Sequence, residues 1–217
     1  MSNELESIKD KLVMVCKILQ KQRVIDGYGH VTARLPDQRI LSTPHMPSGK
    51  VAVRDLIVID TKGKKLDGAG EPNGETPMHT SIYKARSDVQ CILHYHADEL
   101  IAVAASGQGI KVLSNAGVHF YRGTPIYDSP LLIRNHQLGD KVAETLGDRN
   151  AVLLRGHGGT VVAKDLDQLV RRGLDLVRSA KLQIMAGASW RAQNPQRGGV
   201  QADGQRARAR GCPAALS

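Results

Sequence analysis

Aromatic side chains are scarce in this sequence: one Trp, one Phe and five Tyr among 217 residues. A core must therefore be aliphatic, built from Val, Leu, Ile and Ala. Basic residues have no aromatic partners interleaved with them that would stack nucleic-acid bases. Cysteine is also rare. Cys16, Cys91 and Cys212 are odd in number and widely spaced, which excludes a disulfide framework and reads as free thiols in a reducing compartment. The cytoplasm is the expected location. No apolar run approaches the roughly 20 residues that span a bilayer, so no membrane is expected as a partner. The opening residues, Met1 to Glu6, are acidic and polar, unlike a signal peptide.

What is present fits one sizeable domain with a single core. Hydrophobic residues make up 41%, an ordinary globular share, and the formal net charge is +9. A basic chain raises the question of nucleic acid. Residues 191–217 hold five Arg against one Asp and so carry +4 of that excess. The other basic residues are scattered. The charge therefore reads as a solvated surface with a mild attraction for small anions, and no nucleic-acid partner is expected. From Trp190 onward the composition is Arg, Gln, Gly, Ala and Pro without periodicity. This predicts a domain over 1–190 and a disordered basic tail over 191–217.

Apolar residues at helical spacing predict a helix over 4–25 that stops near Asp26-Gly27. Residues 28–35 alternate as a strand, and Pro36-Asp37-Gln38 turns it into a second strand ending at Ser42. Leu56 to Asp60 reads as a buried strand, followed by a turn through Lys65 whose lysines are solvated. Thr76 is a candidate N-cap with Pro77 at the first helical position, opening a helix over 78–87. Cys91 to His96 is a strand, 97–106 a helix, and 110–128 short strands and loops. A helix over 134–146 ends at Gly147. Strands at 151–154 and 160–163 flank a Gly-rich turn. Asp165 caps a final helix over 166–185. Alternating helices and strands give an α/β fold with helices layered on a central sheet.

Within this plan, His94-Tyr95-His96 places two imidazoles on one face of a strand. Two neutral imidazoles on one face are a natural half-shell for a divalent metal. An H-x-H pair alone is weak. Glu75 upstream and His157 in the turn Arg155-Gly156-His157-Gly158-Gly159 complete a shell of three His and one carboxylate with a position left open. Residue type does not select the ion: Zn or Mn is expected, and Fe or Co suits the same donors. Glu75 has a plainer role too, as a carboxylate favoured before a helix N-terminus. His30, read alone, is a surface histidine on a hairpin.

Several segments in order carry a resemblance. They are Gly29-His30-Val31-Thr32-Ala33-Arg34-Leu35, Asp55-Leu56-Ile57-Val58-Ile59-Asp60, Glu75-Thr76-Pro77-Met78-His79, Ile82-Tyr83-Lys84-Ala85-Arg86, His94-Tyr95-His96 and Leu154-Arg155-Gly156-His157-Gly158. With these, residues 5–190 resemble the class II aldolase/adducin family. The resemblance implies a mostly antiparallel central sheet between helical layers. It also implies a homotetramer of ring symmetry with active sites at subunit interfaces. His94, His96 and His157 match the family's metal ligands. Glu75 matches its metal-coordinating or acid/base carboxylate.

The sugar-phosphate aldolases of the family bind phosphate partly through an Asn in a G-N-x-S motif, where this chain has His30. Their Ser pair before the glutamate is Asn73-Gly74 here. Their small-hydroxyl loop is Thr43-Pro44-His45-Met46-Pro47. A phosphate needs convergent N–H and O–H donors, and most are missing. The G-H-V-T-A-R-L form with R-G-H-G is more similar to metal-dependent decarboxylases of hydroxylated aromatic, pyridine-carboxylic or dienoic acids. These include the 3-hydroxy-2-methylpyridine-4,5-dicarboxylate and dihydroxyphthalate enzymes. The expected activity is carbon–carbon lysis of a small carboxylic acid. Glu75 or His30, the latter titrating near neutrality, delivers the proton. Ser42 and Arg155 are candidates to orient carboxylates, with a structural role equally open to Arg155. Tyr127 or Tyr121 is a candidate to reach a neighbouring subunit's site, with core packing the plainer role. The alternatives are a metal-dependent aldolase of a hydroxy-ketone or sugar phosphate, a non-catalytic adducin-like interaction domain, and an Fe(II) oxygenase.

Overall fold

The computed structural model describes residues 2–193. The strands are β1 (His30–Arg34), β2 (Ile40–Ser42), β3 (Ile57–Ile59), β4 (Lys65–Asp67), β5 (Cys91–Tyr95), β6 (Ile126–Tyr127), β7 (Ala151–Leu154) and β8 (Gly158–Ala163). They form one sheet in the order β4-β3-β2-β1-β5-β8-β7-β6. Every neighbouring pair is antiparallel except β6 with β7. The α/β layering and the mostly antiparallel sheet are thus as expected.

Among the described residues, five α-helices cover the sheet: α1 (Ser2–Lys21), α2 (Thr76–Ala85), α3 (Asp98–Ala105), α4 (His136–Leu146) and α5 (Leu166–Gln193). Side chains of α1, α3 and α5 pack with Val31, Leu93, Tyr95 and Val161 in one apolar cluster. Those of α2 and α4 pack with Ile57, Ile92, Val152 and Val162 in a second. Successive strand residues point to opposite faces, so one set of strands feeds two separate cores. Among the described residues no helix is long and apolar enough to cross a membrane.

Several boundaries differ from the sequence reading. Helix α1 ends at Lys21, before the expected glycine. Arg23 adopts φ +58°, and the N–H groups of Arg23 and Val24 bond to the carbonyls of Gln20 and Leu19. That is the two-bond helix stop usually built on glycine. Glu75, not Thr76, occupies the N-cap position of α2; the Thr76 hydroxyl donates to the Asn73 carbonyl instead. Lys65, expected in a solvated turn, opens β4 and donates to the Gly70 carbonyl and Glu71. Helix α4 starts two residues later than expected, with Asn135 accepting from the Leu138 N–H as its cap. Asp165 caps α5 as read, accepting from the Gln168 N–H. Helix α5 runs past the expected tail boundary to Gln193; residues 194–217 of that tail lie outside the described residues.

The turn between β7 and β8 shows why its glycines are needed. Gly156 has φ +67°, a conformation that L side chains rarely adopt. A Cβ on Gly158 would meet the Tyr95 carbonyl oxygen at 2.4 Å. The turn therefore presses β8 against the end of β5 and delivers His157 beside His94 and His96.

Candidate metal centre

The register of the sheet builds the site. His30 of β1 lies opposite His94 of β5, which lies opposite Thr160 of β8. All three fall on the face covered by α2 and α4. Residue 96 follows the end of β5 and keeps the same sense. Glu75 reaches the cluster from the N-terminus of α2, where the positive end of the helix dipole favours an anion.

Four side chains converge. Nε2 of His94 is 3.0 Å from Nε2 of His96 and 3.3 Å from Nε2 of His157. Glu75 Oε2 is 3.3 Å from His157 Nε2 and 3.7 Å from His94 Nε2. One donor atom from each lies within 4.8 Å of all the others. Ligands about 2.1 Å from one ion and about 90–110° apart sit about 3.0–3.4 Å from each other. The imidazole spacings match that requirement, and the donor set fits a divalent metal.

The outer partners aim these donors. The Thr160 hydroxyl donates to Met78 Sδ at 3.4 Å, so it accepts from Nδ1–H of His94 at 2.9 Å. That assignment leaves the His94 Nε2 lone pair facing the centre. Nδ1 of His96 lies 3.2 and 3.1 Å from the two oxygens of Asp26. Asp26 is itself fixed by the N–H groups of Tyr28 and Gly29. A carboxylate behind a histidine orients a metal ligand and raises its basicity. Burial would raise the Asp26 carboxyl, but the backbone N–H of Tyr28 and the charge of His96 outweigh it, and its pKa lies below the ordinary value. Glu75 behaves alike. Burial pushes its carboxyl up, while the hydrogen bond and charge from His157 and the Ile133 N–H win and hold it low. The Ile133 N–H donates to Oε1 at 2.7 Å, which leaves Oε2 for the histidines. Burial, then the neighbouring imidazoles, drives His94 well below its ordinary pKa and keeps it neutral, as a ligand must be.

The remaining predicted residues take different places. His30 is not a surface residue; it is buried beside the rings of His94 and His79, at centroid distances of 5.1 and 4.6 Å. Burial, then the surrounding imidazoles, holds its pKa well below the near-neutral value expected of a free donor. Ser42 is buried and its hydroxyl donates to the Thr43 carbonyl. Arg155 pairs with Asp128 and reaches the Ala104 and Ala105 carbonyls at the end of α3. It is a clamp between elements and not a free carboxylate-binding group. Tyr127 is half-buried and packs against the α2/α4 core. Tyr121, for which core packing was the plainer role, is 73% exposed. Three partners of the cluster were not singled out: Asp26, Thr160 and the backbone of Ile133. Asp26 had a visible signal, a lone acid just before Gly27-Tyr28-Gly29-His30. The other two had none.

Residues 10–184 match the family described as Class II Aldolase and Adducin N-terminal domain. The chain is 27% identical over 191 residues to a 3,4-dihydroxyphthalate decarboxylase of Arthrobacter keyseri, covering 81% of this chain and 77% of that protein. It is 30% identical over 168 residues to a 3-oxo-tetronate 4-phosphate decarboxylase of Haemophilus influenzae, covering 73% of this chain and 77% of that protein. Its fold is similar to a solved L-fuculose 1-phosphate aldolase, with a TM-score of 0.77 at 20% identity over 84% of this chain and 87% of the other. With three imidazoles and a carboxylate gathered where β5, β8 and α2 meet, the chain belongs to the class II aldolase and adducin N-terminal domain family.

Proposed function

We propose that the chain is a divalent-metal-dependent carbon–carbon lyase, and specifically a decarboxylase of a small hydroxylated aromatic, heteroaromatic or dienoic carboxylic acid. The observation that carries this reading is the convergence of His94, His96, His157 and Glu75 within 4.8 Å. Zinc or manganese is the ion. Bound there, it supplies a Lewis acid for the oxygens beside the breaking carbon–carbon bond.

The chain's own residues do the rest. His94, His96 and His157 hold position, with Thr160 and Asp26 fixing two of the rings. Glu75 is anchored through Oε1; its Oε2, ionised at rest, takes up a proton from solvent and passes it to the substrate carbon as carbon dioxide departs. His30, buried and neutral, serves as a hydrogen-bonding group at the inner wall. A cavity of about 240 Å³ is lined by Gly27, Tyr28, His45, Met46, Pro47 and Asn73; Gly27 and Tyr28 follow Asp26, and Asn73 lies two residues before Glu75. Its mix of apolar surface and few polar groups supports a flat ring acid over a phosphate ester. The active unit is a homotetramer with sites at subunit interfaces. Support comes from the loop that supplies the Ile133 N–H to Glu75, which exposes Leu131 and Leu132.

The test loads metal-free protein with Zn or Mn and screens hydroxy-aromatic carboxylates for carbon dioxide release. Pyruvate and dihydroxyacetone phosphate release are followed in parallel. Glu75→Gln is expected to keep its metal and lose at least a thousandfold in kcat. Carbonyl products without carbon dioxide would replace the decarboxylase with an aldolase.

A further inference from the structure

The loop between β6 and α4 runs along one edge of the metal centre. Pro130 stands over the His157 turn, 3.4 Å from the point that a Cβ on Gly156 would occupy. Three residues on, the Ile133 N–H holds Glu75. Arg134 comes next, and its Nε lies 3.9 Å from the point that a Cβ on Gly74 would occupy. Arg134 is exposed. Among the described residues only its backbone N–H is engaged, by the Leu132 carbonyl at 3.0 Å. Other arginines are committed: Arg155 to Asp128, and Arg34 to the carbonyls of Tyr83, Arg86 and Val89. On the other side of Gly74 in the chain is Asn73, whose Oδ1 accepts from the Glu75 N–H. That leaves its amide nitrogen as a spare donor, on a residue lining the cavity of about 240 Å³.

A guanidinium brings a fixed charge and a planar fork of donors that matches a carboxylate. Arg134 holds that fork beside Gly74 and next to Ile133, the two residues that adjoin and anchor Glu75. The charge serves only a group that stays. A carboxylate lost as carbon dioxide gives up its negative charge as the bond breaks. A guanidinium paired with it would stabilise the starting state over the transition state and slow the reaction. A carboxylate kept in the product holds its partner throughout. We propose that Arg134, with the Asn73 amide, binds a second carboxylate that the substrate retains, so that the substrate is a dicarboxylic acid. This rests on the decarboxylase reading and narrows its substrate class.

An interaction that is equal in bound substrate and transition state lowers KM and leaves kcat alone. Loss of Arg134 therefore has a different signature from loss of Glu75, whose proton transfer shows in kcat. Lysine keeps the charge but not the fork, so it restores only part of the binding.

Metal-loaded wild type, Arg134→Gln and Arg134→Lys are titrated by calorimetry with benzoate, benzene-1,2-dicarboxylate and benzene-1,3-dicarboxylate, which needs no turnover. Wild type is expected to bind at least one diacid tenfold or more tighter than benzoate. Arg134→Gln should bring the same pair within threefold, and Arg134→Lys should fall between. In turnover, Arg134→Gln should raise KM for a hydroxylated diacid at least tenfold and keep kcat within threefold. Its KM for the matching monoacid and its metal content should stay those of wild type. A wild type without preference for either diacid, or a preference that survives intact in Arg134→Gln, overturns the assignment. Inorganic phosphate that binds through Arg134 more tightly than both diacids overturns the dicarboxylic class and names a phosphate ester instead. If the wild type releases no carbon dioxide from any acid, it is the decarboxylase reading that fails, and the calorimetry alone decides the role of Arg134.

Discussion

The two faces of the central sheet are made from alternate residues of the same strands, yet they differ in kind. Toward α1, α3 and α5 the strands present Val31, Ala33, Leu93, Tyr95, Val161 and Ala163. The one buried hydroxyl among them, on Tyr95, is satisfied by the Gly173 carbonyl. Toward α2 and α4 the same strands present His30, Thr32, His94 and Thr160 beside Ile92 and Val162. The first face stabilises by burial, at about 25 cal/mol per Å² of apolar surface. The second gives up part of that gain to hold imidazoles and hydroxyls in fixed positions. Stability and chemistry are thus divided by strand parity, with no segment given wholly to either.

Adjacent residues of β5 test this division most directly. His94→Ala, on the polar face, is expected to abolish metal binding and activity together, read as metal content of the purified variant and as carbon dioxide release. Leu93→Ala, on the apolar face, is expected to cost about 2–5 kcal/mol of stability through lost burial and the cavity left behind. Its metal content at low temperature should remain that of wild type. A Leu93→Ala protein that folds normally but arrives without metal would break the comparison.

The polar face was partly legible in the sequence because its ligands obey simple rules. The period of two puts His94 and His96 on one side, and a glycine-flanked histidine marks a tight turn. Glu75 stood out by its place before a proline-opened helix. Other features leave no pattern. Arg23 stops α1 in a conformation that composition assigns to glycine. β4 is Lys65-Leu66-Asp67, two charged residues around one half-exposed leucine, so no buried apolar position marks it as a strand. The Ile133 N–H that fixes Glu75 is backbone and carries no side-chain signal. The burial of His30 is decided by α2, far away in sequence, so a hairpin histidine looked exposed.

Asp26 lay in plain view but was absorbed into the end of α1. Its contact with His96 predicts a smaller effect than loss of a ligand. Asp26→Asn should weaken metal affinity about 10–100-fold, measured by competition with a chelator, with the melting temperature of the metal-free protein nearly unchanged. Affinity equal to wild type would show that the backbone alone aims His96.

The mildest test asks what the polar face costs in acid. Unfolded, His79 has an ordinary histidine pKa near 6.5; folded, burial lowers it to about 3. Above the unfolded value neither state binds the proton. Between the two values the unfolded chain binds one that the folded chain refuses, so stability falls as pH falls. The slope is about 1.4 kcal/mol per pH unit from this residue. Urea unfolding of metal-free protein at pH 7.5, 6.0 and 5.0 should show that loss. His79→Gln should be less acid-sensitive by one proton's worth, while Leu93→Ala, less stable throughout, should keep the wild-type slope. Equal slopes in wild type and His79→Gln would mean that His79 is charged in the folded protein. The acid response of the polar face would then come from His30 and His94, whose pKa values burial also lowers.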